Sequence, residues 1–174
     1  MSLNIEWKNL TRVLNEYAEY FIQEVRDNIA NYGAFATNNL RNNLKSFIEI
    51  GDDNFSIKIM IEDYWKYVEG GTKGTVTSPE GAKYKAHFPP VTVIKDWIEV
   101  KGLSKGNEQD DLSLAFAICN SIEKRGIKPK PFFSEAKEAT YKAFEERINY
   151  AVMEDVKEYV EKVLIGYAKM FGGK

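Results

Sequence analysis

The chain has 174 residues, 44% of them hydrophobic and 13% aromatic, with a formal net charge of −2. That length and composition suit a single folded domain with a real core and exclude an intrinsically disordered chain. The near-neutral charge argues against wholesale wrapping of nucleic acid, which needs a strongly basic face; a lone cysteine and a lone histidine remove intramolecular disulfides, thiolate metal clusters and paired-histidine metal sites.

The opening residues, Met1-Ser2-Leu3-Asn4-Ile5-Glu6, carry neither a basic n-region nor an apolar h-region. The expectation is a chain made and first folded in a cytoplasm, and no apolar run is long enough to span a bilayer. From residue 5 to about 32 the pattern is one amphipathic helix. Trp7, Leu10, Leu14, Tyr17, Phe21, Val25 and Ile29 recur every three or four positions, with charged residues between them. Asn4 stands where an N-cap would accept a bond from a free N–H of the first turn. A shorter helical piece follows over about 34–44.

The period then changes. Phe55, Ile57, Ile59 and Ile61 alternate with mostly polar neighbours, and Phe47-Ile48-Glu49-Ile50 precedes them across Gly51-Asp52-Asp53-Asn54. Alternation marks a strand with one buried face, and the Gly/Asp/Asn cluster is turn chemistry, so a β-hairpin is expected. Asp52 and Asp53 read as a solvated turn, because no further ligand cluster accompanies them.

Next comes Tyr64-Trp65-Lys66-Tyr67-Val68-Glu69-Gly70-Gly71-Thr72-Lys73-Gly74, leading into residues 72–88, which have little periodicity and read as a long loop. Pro89-Pro90 opens a short helix with Val93, Ile94, Trp97 and Ile98 as its apolar stripe and Gly102 at its end. A polar link over 104–109 leads to a third helix, capped by Asp110 or Asp111, filled by Leu112 to Ile122 and closed by Gly126. Cys119 lies in an apolar run and reads as a small core residue rather than a nucleophile.

Lys128-Pro129-Lys130-Pro131-Phe132-Phe133 then introduces a second long amphipathic pattern over about 134–171, striped by Phe144, Ile148, Val152, Val156, Tyr159, Val163 and Tyr167. Unbroken, it would extend roughly 57 Å at 1.5 Å per residue. A domain of this size has a diameter of about 40 Å. The helix therefore breaks, near Asn149 or Gly166, or projects and packs on a partner.

No catalytic constellation emerges. A Ser-His-Asp triad would have to be built on His87, in a Lys/Tyr-rich loop, and no GxSxG is present. Gly70-Gly71-Thr72-Lys73-Gly74 matches neither GxxxxGK[ST] nor GxGxxG. The expectation is a protein that is not an enzyme and uses no metal or other cofactor. Lys73, Lys83, Lys85 and Lys105 fall in loops, while Lys124, Arg125, Lys128 and Lys130 cluster beside two prolines. They read either as solvated surface, with Lys124 and Arg125 favourably placed at a helix C-terminus, or as a basic rim touching DNA phosphates.

Two of these segments together resemble the "YAxYVExGT … RPF" pair of head–tail connector and tail-completion proteins of tailed bacteriophages. Asn39-Leu40-Arg41-Asn42-Asn43-Leu44 occupies the place of that family's "LRxSI"-like segment, and the 89–133 region is similar to the "FPPxxAIxxWI … LAFAIxxxIxxxGIKPxPFF" arrangement of some members. Trp65 replaces a usual small residue, Lys130 replaces Arg, and two helices separate the GT and PF elements. The resemblance implies a virion protein forming a homo-oligomeric ring in the phage neck or tail, with portal or adaptor and tail proteins as partners and DNA passing through the centre. It implies no membrane association.

On that reading Tyr64, Tyr67, Glu69, Gly71, Thr72, Pro131 and Phe132 form a subunit-interface motif, and Lys73, Lys83, Lys85, Lys128 and Lys130 face a DNA channel. Tyr64, Tyr67 and Phe132 supply large amphipathic contact area, or else core at a sheet–helix junction. Glu69 is expected to accept N–H bonds from its own glycine turn, and Pro129 and Pro131 to hold the approach to the last helix extended. The alternative, from a different class, is a small nucleic-acid-binding or regulatory module using the basic 124–130 segment. The fold expected is α+β: a small antiparallel sheet flanked by long N- and C-terminal helices, one domain over 1–174 with a helical insertion at about 89–126.

Overall fold

Both long helices and the helical insertion are present in the computed structural model, which describes residues 5–33, 39–51, 54–85, 87–104 and 106–171. The architecture is α+β, as expected. In chain order the elements are α1 (Lys8–Asn31), α2 (Asn39–Asn42), β1 (Lys45–Ile50), β2 (Phe55–Met60), α3 (Trp65–Gly70), β3 (Thr72–Lys73), β4 (Tyr84–Lys85), α4 (Val91–Val100), α5 (Glu108–Arg125), β5 (Gly126–Ile127) and α6 (Phe132–Phe171). They group into two compact units, one of residues 1–24, 46–59 and 137–174, the other of 25–45 and 60–136, with the insertion wholly inside the second.

The first unit is built on the two periods visible in the sequence. Leu10, Val13 and Leu14 of α1 meet Phe144 and Ala151 of α6, and Trp7, Tyr17, Ile48, Phe55, Ile57, Ile148 and Val152 close over them. Trp7 meets Phe55 edge-on at 5.5 Å between ring centroids, and Tyr17 meets Phe144 the same way at 5.5 Å. The hairpin forms as expected, with β1 beside β2 and the Gly51 N–H donating to the Asn54 carbonyl at 2.9 Å. Asp52 and Asp53 lie outside the described residues.

α1 begins at Lys8, later than the sequence pattern suggests, and the expected cap Asn4 is outside the described residues. The carboxylate of Asp155, from α6, serves the first turn instead. Its Oδ1 accepts from the backbone N–H of Asn9 at 3.0 Å and from the Asn9 amide at 2.9 Å, and its Oδ2 accepts from the Leu10 N–H at 2.9 Å. The N–H groups of a first turn have no partner within the helix, so a distant acceptor satisfies what a local cap would. α6 itself runs unbroken from Phe132 to Phe171, through both Asn149 and Gly166.

In the second unit α4 packs on α5, burying Ile98 from one and Ala115 and Cys119 from the other. The cap of α5 corrects the sequence reading. Asn107, not Asp110 or Asp111, sits in extended conformation before the helix and accepts from the Gln109 N–H at 3.0 Å. The two aspartates fall instead within the first turn beside Glu108, where the helix dipole favours negative charge. The 72–88 segment also differs from a plain loop. β3 is the middle strand of a small sheet, parallel to β4 and antiparallel to β5, so short stretches from both ends of the segment are hydrogen-bonded.

Candidate functional site

The two motif segments, far apart in sequence, meet at the start of α6. Thr72 pairs with Ile127 and Lys73 with Gly126 across β3 and β5, while Thr72 pairs with Tyr84 on the other side. The buried Thr72 hydroxyl accepts from the Ile127 N–H at 3.0 Å, a bond that an apolar β-branched residue would leave unmade. The Lys130 N–H donates to the carbonyls of Val68, at 3.1 Å, and Glu69, at 3.2 Å, at the end of α3.

Two glycines permit this close approach. Gly71 has φ 63° and ψ 171°, and Gly126 has φ 73° and ψ −172°. That region of backbone space is open almost only to glycine. A Cβ on Gly71 would sit 2.5 Å from the Ile127 carbonyl oxygen, and one on Gly126 would run into the Thr72 carbonyl oxygen. The glycines thus serve strand-to-strand contact rather than an anion cradle.

Glu69 does something the sequence did not reveal. Its carboxylate does not serve its own glycine turn; Oε2 accepts from the Phe133 N–H at 2.8 Å, and Oε1 from the Ser134 N–H at 3.0 Å and from the Ser134 hydroxyl. Pro131, immediately before α6, has no acceptor on its side chain, so the first turn of the 40-residue helix takes its cap from α3. The end of α1 and the turn after it add two ties. The Asn28 amide donates to the Phe132 carbonyl at 3.1 Å, and the Tyr32 hydroxyl donates to Glu135 at 2.6 Å. Replacing Glu69 with Ala is expected to cost about 1–2 kcal/mol, the range for loss of a helix cap, and Glu69→Gln less, because an acceptor oxygen remains. Urea unfolding of the two variants checks this.

The aromatics divide. Phe132 is fully buried, so it takes the core reading and offers no interface area. Its position, first in α6 and directly under the cap, seats the helix start in apolar packing. Tyr64 is half-buried ahead of α3, and Trp65 lies 4.8 Å from the Phe133 ring. Tyr67 is exposed and meets Tyr84 edge-on at 5.1 Å. Glu69, Gly71, Thr72, Pro131 and Phe132 therefore converge on one joint, while Tyr67 is the member of the motif that faces solvent.

The basic residues gather beside the same joint. Lys73 and Lys85 are register partners on β3 and β4, and β5 brings Gly126, hence the end of α5, alongside Lys73. The chain after β3 then caps α5. The N–H of Thr75 donates to the Glu123 carbonyl at 2.8 Å, and those of Val76 and Thr77 to the Lys124 carbonyl at 3.0 Å each. Lys73, Lys83, Lys85, Lys124, Arg125 and Lys128 are all exposed, and none is in an ion pair among the described residues. Lys130 stands apart. Its ammonium donates to the Gly33 carbonyl at 3.0 Å, and burial, with the Lys101 charge second, lowers its pKa below the ordinary lysine value. It ties the joint to the turn after α1. His87 is exposed, and Lys105 lies outside the described residues.

Lys124 and Arg125 were legible as charge but not as part of the Lys73–Lys85 group, since only strand pairing unites them. Among the described residues no group of three or more His, Cys, Asp or Glu is placed to hold a metal ion, and no helix is long and apolar enough to cross a membrane. Comparison with protein-family models, with curated proteins and with solved structures finds no match.

Proposed function

We propose that this chain is a structural subunit of a homo-oligomeric ring in the neck or tail of a tailed bacteriophage. In this reading the ring joins portal or adaptor to tail around the DNA channel, and the protein is assembled in the host cytoplasm and resides in the virion. The observation that carries it is the convergence of the two segments on which the resemblance rests. Tyr64–Gly74 and Lys128–Phe133 are not scattered surface motifs but two sides of one joint that sets the start of a long helix. A part that must present the same surface many times around an axis needs such a fixed joint, because symmetry multiplies any looseness at an interface.

The exposed basic group supports the channel part of the reading. Repeated around a ring, Lys73, Lys83, Lys85, Lys124, Arg125 and Lys128 make a continuous girdle suited to sequence-independent phosphate contact. Lys130 is not counted in it, being held by Gly33.

Electron microscopy and native mass spectrometry of the purified protein, alone and with its virion, test the proposal. Closed rings, or the chain located in neck or tail, are the expected result. A protein that stays outside particles and never closes into rings sinks it. Tight DNA binding by the isolated monomer, falling steeply with salt and lost in Lys124→Glu/Arg125→Glu, points instead to the nucleic-acid-binding or regulatory module.

A further inference from the structure

The far end of α6 carries a second apolar stripe that stays exposed among the described residues. Asp155 caps the first turn of α1, so Val156–Phe171 runs on beyond that turn, on the order of 24 Å at 1.5 Å per residue. Among the described N-terminal residues, Glu6 reaches Lys162 at 3.6 Å. From just before this stretch, Met153, Val156, Val160, Val163, Tyr167 and Met170 recur at alternating intervals of three and four, the spacing of a and d positions in a heptad. They are between 37% and 80% exposed, a level unusual for a row of large apolar side chains. The stripe lies about 120° around the helix from the face that Phe144, Ile148, Ala151 and Asp155 turn toward α1. Its N-terminal limit is sharp, because the preceding a and d positions are Glu146 and Asn149.

We infer that this stripe pairs with the same stripe of a second copy, the two helices running antiparallel. In that orientation the stripe is self-complementary about a single midpoint. With the midpoint between Glu161 and Lys162, Met153 of one copy meets Met170 of the other, Val156 meets Tyr167, and Val160 meets Val163. Every a position then faces a d position, as antiparallel seams require, and the bulky Tyr167 lies opposite the small Val156. The net charge of the two halves favours the same direction. The half of the segment nearer Asp155 holds Glu154, Glu158 and Glu161 against Lys157, and the far half holds Lys162 and Lys169. Antiparallel pairing sets acidic half beside basic half, whereas parallel pairing sets like beside like. The helix is already formed in each copy, so association does not have to order it. The contact is isologous and closes on two copies, so it stands whether or not the ring reading does.

Disulfide trapping in the full-length protein tests both partner and direction. Val160→Cys and Val163→Cys chains are mixed in equal amounts and oxidised, and the linked peptides are identified by mass; native Cys119 is buried and stays out of the reaction. Antiparallel pairing predicts the mixed 160–163 bridge in several-fold excess over either same-site bridge. Same-site copies are offset along the seam by roughly three residues, about 4.5 Å, beyond comfortable disulfide reach. Same-site bridges in excess mean parallel pairing and overturn the proposal, as does the absence of any bridge. Sedimentation of Val160→Glu/Val163→Glu should show loss of the two-copy species at concentrations where the unaltered chain holds it. An unchanged distribution overturns the proposal. Rings that persist in this variant leave the ring reading intact, and an unaltered chain that never closes into rings while the cysteine chains give the 160–163 bridge overturns that reading alone.

Discussion

Gly126→Ala is expected to destabilise the second unit by about 3 kcal/mol or more, the largest effect of any single methyl group added at the joint. Two costs combine. At φ 73° and ψ −172° the backbone lies where residues with a Cβ pay roughly 1–3 kcal/mol. The added methyl also meets the Thr72 carbonyl oxygen, a backbone atom held by strand pairing that cannot swing aside as a side-chain tip would. Relief requires β5 to part from β3, which breaks the Ile127-to-Thr72 hydroxyl bond and moves Lys130 away from Val68 and Glu69. Urea unfolding followed by fluorescence reads the loss, since Trp65 and Trp97 both lie in this unit. A cost below about 1 kcal/mol would show that the strands do not approach as closely as described.

Asp155→Ala should cost about 3 kcal/mol in the first unit. The carboxylate is almost fully buried and accepts three bonds, two from backbone N–H groups of the α1 first turn. Truncation leaves the Leu10 N–H without a partner in a buried position and the Asn9 N–H in a partly buried one, and a buried orphan costs about 1–3 kcal/mol. Asp155→Asn keeps one acceptor oxygen but presents an amide to the other donor, so an intermediate loss is expected. Hydrogen exchange locates the effect: the Asn9 and Leu10 amides should lose protection first in either variant. Equal stability of Asp155→Ala and the unaltered chain would mean that α1 starts elsewhere.

Glu69 and Asp155 are the same solution applied twice. Each long helix begins after a residue with no acceptor side chain for the first turn, Trp7 before α1 and Pro131 before α6, and each draws a carboxylate from another element. Asp155 is 146 positions from Asn9, and Glu69 is 64 positions from Phe133. A reader of the sequence looks for caps within a few residues of the helix start, where local geometry can deliver them. Asn107 is such a cap, although Asp110 and Asp111, three and four positions on, offer the same kind of acceptor. The long-range caps have no local signature at all.

The same contrast governs the joint. In the sequence only the resemblance links Tyr64–Gly74 to Lys128–Phe133, and their meeting in space explains why both carry glycine or proline at fixed points. Which residue does what followed only from the packing. Phe132 went to the core and Tyr67 stayed outside, although both are large aromatics in the same motif. Lys130 was drawn onto the Gly33 carbonyl while Lys128, two residues earlier, remained in solvent. Charge and size alone do not distinguish these fates.

By itself the sequence determined the α+β alternation, the two long helices, the hairpin and the inserted helix pair. Periods of 3.6 and 2 are properties of neighbouring residues, and they survive whatever the rest of the chain does. Only the tertiary structure decided where the long helices start, which carboxylates hold those starts, and which of the motif's aromatic and basic side chains face water. Those outcomes depend on which chain ends the topology brings within about 3 Å of one another, the reach of a hydrogen bond, and no local pattern carries that information.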